Sequence, residues 1–246
     1  MHLPQGAINS QLSQVFSFVA LIIGAIAVKQ SFSELTEKIK VALPAALTTA
    51  GQFFSSSRPL PFFRLKKESR NKISILLIIL PLILLGQAHD LLAINGQAGH
   101  FLGASLAAII LGPYLGLLSI SSVLLIQALA FGDGGLAVIG VNIFNMAVVG
   151  CLSAYFFYNL FVKYNFKKTL AIYFATLISV SLSALAYSLI LFFSRKIDFT
   201  GLASIMTVHL IIGLLEGLVT VALIKFLKLI FGNLYVPDQA AENQKS

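Results

Sequence analysis

Apolar segments long enough to cross a lipid bilayer dominate this sequence. About 20 consecutive apolar residues in an α-helix span the roughly 30 Å hydrocarbon core of a bilayer. Hydrophobic residues make up 58% of the 246 residues and charged residues only 11%, more apolar side chain than a soluble domain of this length buries. The sequence therefore predicts an all-α, polytopic membrane protein with about seven transmembrane segments, near residues 11–29, 73–89, 100–112, 114–131, 138–162, 169–193 and 203–231.

The third of these segments is too short to cross the membrane alone. At 1.5 Å per residue it reaches roughly 20 Å, against a hydrocarbon core of about 30 Å. Gly112-Pro113 then interrupts the helical pattern. The segment is either a half-helix that turns back or the front of one long, kinked helix.

The distribution of positive charge favours a turn at Gly112-Pro113. Cytoplasmic loops of membrane proteins carry an excess of Lys and Arg. With a turn, the basic residues between the first two spans, after 138–162 and at the C-terminal end all lie on one side, and only Arg195 and Lys196 lie on the other. We therefore expect the amino terminus outside the cell and the carboxyl terminus in the cytoplasm. The formal charge of +8 then reflects loop orientation rather than binding to nucleic acid.

The same pattern predicts one transmembrane domain at the cell membrane, covering residues 1–234. A cytoplasmic, basic linker is expected at 30–72 and a polar tail at 235–246. The apolar stretch at 15–27 resembles the core of a signal peptide. Because the first thirteen residues carry no positive charge, we expect an uncleaved amino terminus instead.

The amino-terminal Met1-His2 pair offers three nitrogen donors in a fixed order. These are the α-amine, the His2 backbone amide and the His2 imidazole. The amine and amide close a five-membered ring on a metal ion, and the amide and Nδ1 close a six-membered one, with the donors already ordered by the covalent chain. Such nearly planar rings suit nickel, copper and some cobalt(II) states, whereas calcium and magnesium prefer oxygen. A fourth nitrogen is needed to complete the plane, and Met1-His2 alone is a weak signal.

Four further ionisable residues are candidates for the site. His100 opens the third segment on the predicted outer face, where it is either a ligand or a histidine that hydrogen-bonds at a helix start. His89 lies on the same face beside Asp90. His209 and Glu216 share one face of the last span, and ionisable groups inside a membrane are functional candidates. They could equally form a buried hydrogen-bonded pair that holds helices together.

Four stretches together resemble a known family. They are MHLPQG at the start, GHFLGASLAAIILGP from Gly99, VLLIQALAFGDGGLAVIGVNIFNMAVVG at 123–150, and HLIIGLLEGLVTVALIKFL from His209. They are similar to the substrate-capturing membrane component of energy-coupling-factor transporters for cobalt and nickel, the CbiM/NikM family. The resemblance covers nearly the whole chain except about 30–72 and the tail.

The resemblance implies a metal site made of the Met1 amine, the His2 amide and imidazole, and the His100 imidazole. The bound ion, Co2+ or Ni2+, is the transported substrate, and no separate cofactor is implied. Both ions remain candidates because a plane of four nitrogens suits each of them.

Three polar residues in the 123–150 stretch could support this site. Asp133 could orient a ligand or cap the glycine-rich turn around it. Asn142 and Asn145 are three residues apart on one helix face, where they could hydrogen-bond the backbone of the amino terminus.

The chain carries no Walker lysine motif, so we expect a transport subunit and not an enzyme. The resemblance implies a transmembrane coupling protein, two ATPase subunits and a small accessory membrane protein similar to CbiN or NikN, all acting at the lipid bilayer. Two alternatives stay open from the residues alone. One is an intramembrane enzyme that uses His209 and Glu216, and the other is a structural membrane subunit with a spectator terminus.

Overall fold

The protein is a bundle of antiparallel helices. A computed structural model describes residues 2–3, 6–39, 62–66, 69–88, 90–94 and 97–232. In chain order its elements are α1 (Ser10–Leu35), β1 (Thr36–Ile39), β2 (Phe62–Leu65), α2 (Ser69–Gln87), β3 (Leu92–Ile94), β4 (Gln97–Gly99), α3 (Ala104–Leu111), α4 (Pro113–Phe131), α5 (Leu136–Lys163), α6 (Lys168–Phe193) and α7 (Phe199–Phe231). Six of these helices, all except α3, are long and apolar enough to cross a membrane. The predicted helical membrane fold is confirmed, with two short β-hairpins added.

The helix α3 is a half-helix that turns back at Gly112. Gly112 has a φ of 92°, a left-handed value that glycine adopts without strain, and Pro113 begins α4. A Cβ atom on Gly116 would lie 2.8 Å from the Cα of Ala108, so the two backbones run past each other in direct contact. The chain therefore makes the predicted turn here and not one long, kinked helix. Which end of the bundle faces the cytoplasm stays a prediction.

Small residues also allow the close packing of α5, α6 and α7. The Ser179 hydroxyl on α6 donates to the Gly150 carbonyl on α5 at 2.7 Å. On α7, a Cβ atom at Gly217 would lie 2.8 Å from the Cδ2 of Tyr173 on α6. Close backbone approach at small residues is the usual mode of helix association in membranes, where the hydrophobic effect does not drive it.

The half-helix lies at the centre of the bundle, and α1 and α2 lie at its periphery. All eight residues of α3 are buried. By contrast, α1 exposes large apolar side chains such as Phe18 and Leu21, which are 65% and 72% exposed. An apolar outer surface around a buried centre is the arrangement expected of a bundle surrounded by lipid.

Regular structure extends into both ends of the predicted linker at 30–72. α1 continues to Leu35, because the polar residues that follow the apolar run still form helix until Thr36 adopts an extended conformation. β1 then pairs antiparallel with β2, Thr36 opposite Leu65, and α2 begins already at Ser69. Residues 40–61 and the predicted tail at 235–246 lie outside the described residues, so the domain boundaries stay a prediction.

Replacement of Gly116 by alanine tests the contact between α3 and α4. We expect Gly116→Ala to lower stability by about 1–3 kcal/mol, since an added methyl group in a tightly packed contact forces the backbones apart. The measurement is thermal unfolding of the detergent-solubilised protein, followed by circular dichroism.

The matched control is Gly24→Ala in α1, where an added Cβ atom meets nothing within 4 Å. It should stabilise the protein slightly, because alanine favours helix by roughly 0.5–1 kcal/mol over glycine. Equal unfolding temperatures for the two variants would contradict the close contact of α3 with α4.

Candidate metal centre

The imidazole rings of His2 and His100 lie next to each other. Their centroids are 5.0 Å apart, with an angle of 45° between the ring planes. His100 follows β4 and precedes α3, whereas His2 belongs to the amino-terminal segment before α1. The His2 side chain is 7% exposed and His100 is 5% exposed. Two of the predicted ligand residues are therefore adjacent and shielded from water.

Asn142 on α5 holds the amino-terminal segment in place. The backbone N–H of Leu3 donates to Asn142 Oδ1 at 2.8 Å, and Asn142 Nδ2 donates to the Leu3 carbonyl at 3.5 Å. The Leu3 side chain itself is fully buried. One amide side chain thus pairs with both polar backbone groups of the residue that follows His2, as a neighbouring strand would do.

The turn after α4 brings a carboxylate to His2. His2 Nδ1 and Asp133 Oδ2 are 2.8 Å apart. Gly134, with a φ of 74°, has no room for a side chain, because a Cβ atom would lie 2.7 Å from Asn142 Nδ2 and 3.3 Å from His2 Cβ. The glycine therefore allows the turn to approach closely enough for this contact. Nδ1 is also the nitrogen that the six-membered chelate would use, so Asp133 and a metal ion compete for it.

Burial keeps both imidazoles neutral near pH 7. Desolvation by burial lowers the pKa of His100 well below its usual value, and the nearby His2 lowers it further. Burial also lowers the pKa of His2, although the hydrogen bond to Asp133 acts in the opposite direction. The contact with His2 lowers the pKa of Asp133 in turn. Neutral imidazoles are the form that binds metal ions.

The backbone around His100 fixes the tautomer of its ring. His100 Nδ1 lies 2.8 Å from the carbonyl oxygen of Phe101. Because a carbonyl can only accept, Nδ1 carries the proton and Nε2 carries the lone pair. A hydrogen bond of this kind from one ring nitrogen is common in histidines whose other nitrogen binds a metal.

His209 and Glu216 on α7 bond to backbone groups near the site and not to each other. His209 Nδ1 lies 2.8 Å from the Ile205 carbonyl oxygen. Glu216 Oε2 accepts the N–H of Leu102 at 2.7 Å and Oε1 accepts the N–H of Gly103 at 2.8 Å. The alternative of a hydrogen-bonded pair of His209 and Glu216 is therefore not what the structure has, since each side chain bonds a backbone group instead.

The remaining predicted site residues are distributed as follows. Met1 and His89 lie outside the described residues. Asn145 is fully buried, and neither of its side-chain amide atoms has a hydrogen-bond partner within the described part of the chain. Within the same residues, no group of three or more His, Cys, Asp or Glu side chains is arranged to hold a metal ion. A site here needs backbone or terminal nitrogens in addition to side chains.

Sequence reasoning missed two features of this region. One is the bond from Glu216 to the start of the half-helix, which has no signal beyond a carboxylate within an apolar span. The other is a pair of π-helical turns, Gln127–Phe131 at the end of α4 and Ile143–Val149 within α5. π-Helical turns are rare and frequently occur at functional sites.

The sequence model of the family described as the cobalt uptake substrate-specific transmembrane region, CbiM, matches residues 60–231. The chain belongs to this family. The match includes His100, Asp133, Asn142 and Glu216. It begins after His2, so it does not cover the amino-terminal stretch.

Individual relatives carry transport names. The chain is 33% identical over 136 residues to a putative fused nickel transport protein NikMN from Archaeoglobus fulgidus, covering 54% of this chain and 45% of that protein. It is 32% identical to a cobalt transport protein CbiM from Nostoc, with 52% of each covered. A CbiM from Thermosipho melanesiensis is 31% identical, with 64% of this chain and 70% of that protein covered. The chain thus spans about half the length of the first two relatives and more of the third.

Two crystal structures share the fold. One is described as a transition metal transporter, with a TM-score of 0.71 and coverage of 94% of this chain and 93% of that one. The other is a truncated transition metal transporter, with a TM-score of 0.69 and coverage of 92% and 98%. Both are 22% identical to this chain, a level at which the likeness describes the fold alone.

Loss of the Asn142 side-chain amide should release the amino-terminal segment. We expect Asn142→Leu to raise the hydrogen-exchange rate of the Leu3 amide by about tenfold, because two hydrogen bonds worth about 0.5–1.5 kcal/mol each are lost. Mass spectrometry of peptides that cover residues 1–9 measures the rate.

The control is Asn159→Leu in the same helix. Asn159 bonds the carbonyl of Tyr155, one turn away within α5, so its loss should leave the Leu3 amide unchanged. The assignment of Asn142 would be wrong if both variants raised the rate equally.

Proposed function

We propose that this chain captures Co2+ or Ni2+ outside the cell, as the substrate-binding membrane component of an energy-coupling-factor importer. The observation that carries the proposal is the contact between the rings of His2 and His100, whose centroids are 5.0 Å apart. Membership of the CbiM family and the cobalt and nickel transport names of several relatives support the same function.

The proposed ligands are four nitrogens. They are the Met1 amine, the His2 amide, the His2 Nδ1 and the His100 Nε2. The three nitrogens of Met1 and His2 form two fused chelate rings, and His100 completes the plane, a geometry that suits nickel and cobalt(II). The neutral state of both buried imidazoles supports this ligand set, since protonated imidazoles cannot bind a cation. On binding, the metal displaces Asp133 from His2 Nδ1, and the carboxylate stays nearby to offset the positive charge.

The energy for transport comes from other subunits in this proposal. The chain contains no Walker lysine motif, so ATP is hydrolysed by two ATPase subunits that act through a transmembrane coupling protein. A small accessory membrane protein completes the assembly, and the names of fused NikMN relatives support such a partner. The loaded component then reorients in the membrane and releases its ion to the cytoplasm. The alternative of an intramembrane enzyme loses support, because His209 and Glu216 are both bonded to backbone groups.

Removal of any one donor tests the chelate. We expect His2→Ala and His100→Ala each to weaken nickel binding to the purified protein by at least about a hundredfold, which corresponds to about 2.7 kcal/mol. Addition of two alanines before Met1 should have the same effect, because it keeps every side chain and moves the amine out of reach of a fused chelate with His2. A single added residue is unsuitable, since an amine two residues before a histidine forms a four-nitrogen nickel chelate of its own. Isothermal titration calorimetry with nickel measures the affinity.

The matched control is His89→Ala, which removes another histidine of the same predicted outer loop. Its nickel affinity should stay within about twofold of the wild type, a change of roughly 0.4 kcal/mol. If the chain with the two added alanines binds nickel as tightly as the unmodified one, the terminal chelate is refuted.

The affinity should also depend on pH in two stages. The amine, with an ordinary pKa of about 7.7–8.0, and the amide each lose a proton on binding, so affinity should fall about a hundredfold per pH unit just below neutrality. The imidazoles add to this fall only below pH 6.5, because burial lowers the pKa of His2 and, to well below its usual value, that of His100. Nickel titrations between about pH 7.5 and 5 provide the profile, and an affinity that stays constant across this range would exclude nitrogen ligands.

A further inference from the structure

The carboxylate of Glu216 is bound by the backbone that directly follows His100. Its two oxygens each accept one N–H group, Oε2 from Leu102 at 2.7 Å and Oε1 from Gly103 at 2.8 Å. Glu216 is 2% exposed. Hydrogen bonds to a carboxylate are about twice as strong as bonds between neutral groups, so this contact fixes the backbone two and three residues beyond the histidine.

The half-helix α3 depends on this carboxylate for its start. Gly103 occupies the N-cap position with a φ of 72°, and no side chain of α3's own segment caps the helix. The first N–H groups of a helix have no partner within it, and the apolar surroundings of a membrane protein do not supply one. Glu216 accepts from the N–H of the N-cap residue Gly103 and from that of Leu102 just before it, although it belongs to a helix more than a hundred residues later in the chain.

The same helix also contacts the residue just before His100. A Cβ atom on Gly99 would lie 2.6 Å from Ile212 Cδ1, 2.9 Å from His209 Nε2 and 3.0 Å from Val208 Cγ1. A side chain at residue 99 would therefore require these three side chains of α7 to move. Helix α7 thus contacts the chain both before and after His100. It packs against residue 99 and accepts hydrogen bonds from residues 102 and 103.

We propose that Glu216 is a positioning residue for the metal site, and that it acts by fixing the backbone that presents His100 to His2. The inference rests on the proposed function, because it takes His100 as a ligand. It assigns a role to a carboxylate that does not touch the metal. Helix α7 then sets the distance between the two imidazoles.

Replacement of Glu216 by glutamine tests this role. Glutamine has the same shape, but its NH2 group faces one of the two N–H donors and cannot accept from it. We expect Glu216→Gln to weaken nickel binding by about ten- to hundredfold, the usual effect when a group that orients a metal ligand is changed. Glu216→Asp, which keeps the charge but is shorter by one methylene group, should weaken binding to a similar extent.

The absorption spectrum of bound nickel separates positioning from a general structural effect. If Glu216 positions His100, nickel-saturated Glu216→Gln should show the ligand-field spectrum of His100→Ala. A wild-type spectrum at saturation, or unchanged nickel affinity, would overturn the proposal. Thr220→Val serves as the control, since Thr220 is buried one turn further along α7, and it should retain the wild-type affinity and spectrum.

Failure of the proposed function gives a different result. In that case His2→Ala and His100→Ala would leave nickel affinity and spectrum unchanged, whatever the Glu216 variants do. If His100→Ala changes the spectrum and Glu216→Gln does not, only the positioning role is lost.

Hydrogen exchange of the wild-type protein provides a test that needs no variant. The amides of Leu102 and Gly103 should exchange slowly without added nickel, because the carboxylate holds them whether or not metal is bound. Exchange at the rate of an unprotected amide, at least about a hundredfold faster than in the core of α3, would overturn the proposal even if the Glu216 variants failed to fold.

Discussion

The bond between Glu216 and the N–H groups of Leu102 and Gly103 is the interaction on which the rest of the arrangement depends. Apolar surroundings do not tolerate unpaired backbone groups, yet the buried half-helix α3 begins without a side-chain cap from its own segment. The carboxylate of Glu216 on α7 binds two of the N–H groups at that start. With this support, the short irregular segment at residues 99–103, which carries His100, packs within the bundle.

The amino-terminal segment also has buried backbone groups that need hydrogen-bond partners, and a different side chain supplies them. Leu3 has a buried side chain and two polar backbone groups, and Asn142 pairs with both of them. Asp133 meets the imidazole of His2 from the neighbouring turn. The two irregular pieces of chain are thus each held by a polar side chain from a regular helix or its end, and their histidines meet between them.

The membrane spans could be predicted because length and apolar content are sufficient to recognise them. The turn at Gly112 could also be predicted, since only a turn places the basic loops on one side. The end of α1 could not, because its polar final residues remain helical beyond the apolar run. Nor could the pairing of β1 with β2, where little alternation of polar and apolar residues marks a strand.

For the candidate site, chelate chemistry and the family resemblance pointed to His2 and His100, and the structure has their rings next to each other. Their role as metal ligands stays a prediction. Asn142 and Asn145 were both expected to bond the amino terminus, but among the described residues only Asn142 bonds that segment. Asn145 lies within the π-helical turn Ile143–Val149. The partners of Glu216 could not be predicted at all. They are backbone N–H groups, which every residue except proline has and which therefore leave no trace in the sequence.

The position of Glu216 near the end of the chain also bears on how the protein is made. The residues around His100 leave the ribosome well before α7 has been synthesised. The bonds from Glu216 to Leu102 and Gly103 therefore form only after α7 has inserted and packed. In the proposed site, the second imidazole is thus the part whose placement is completed late in synthesis.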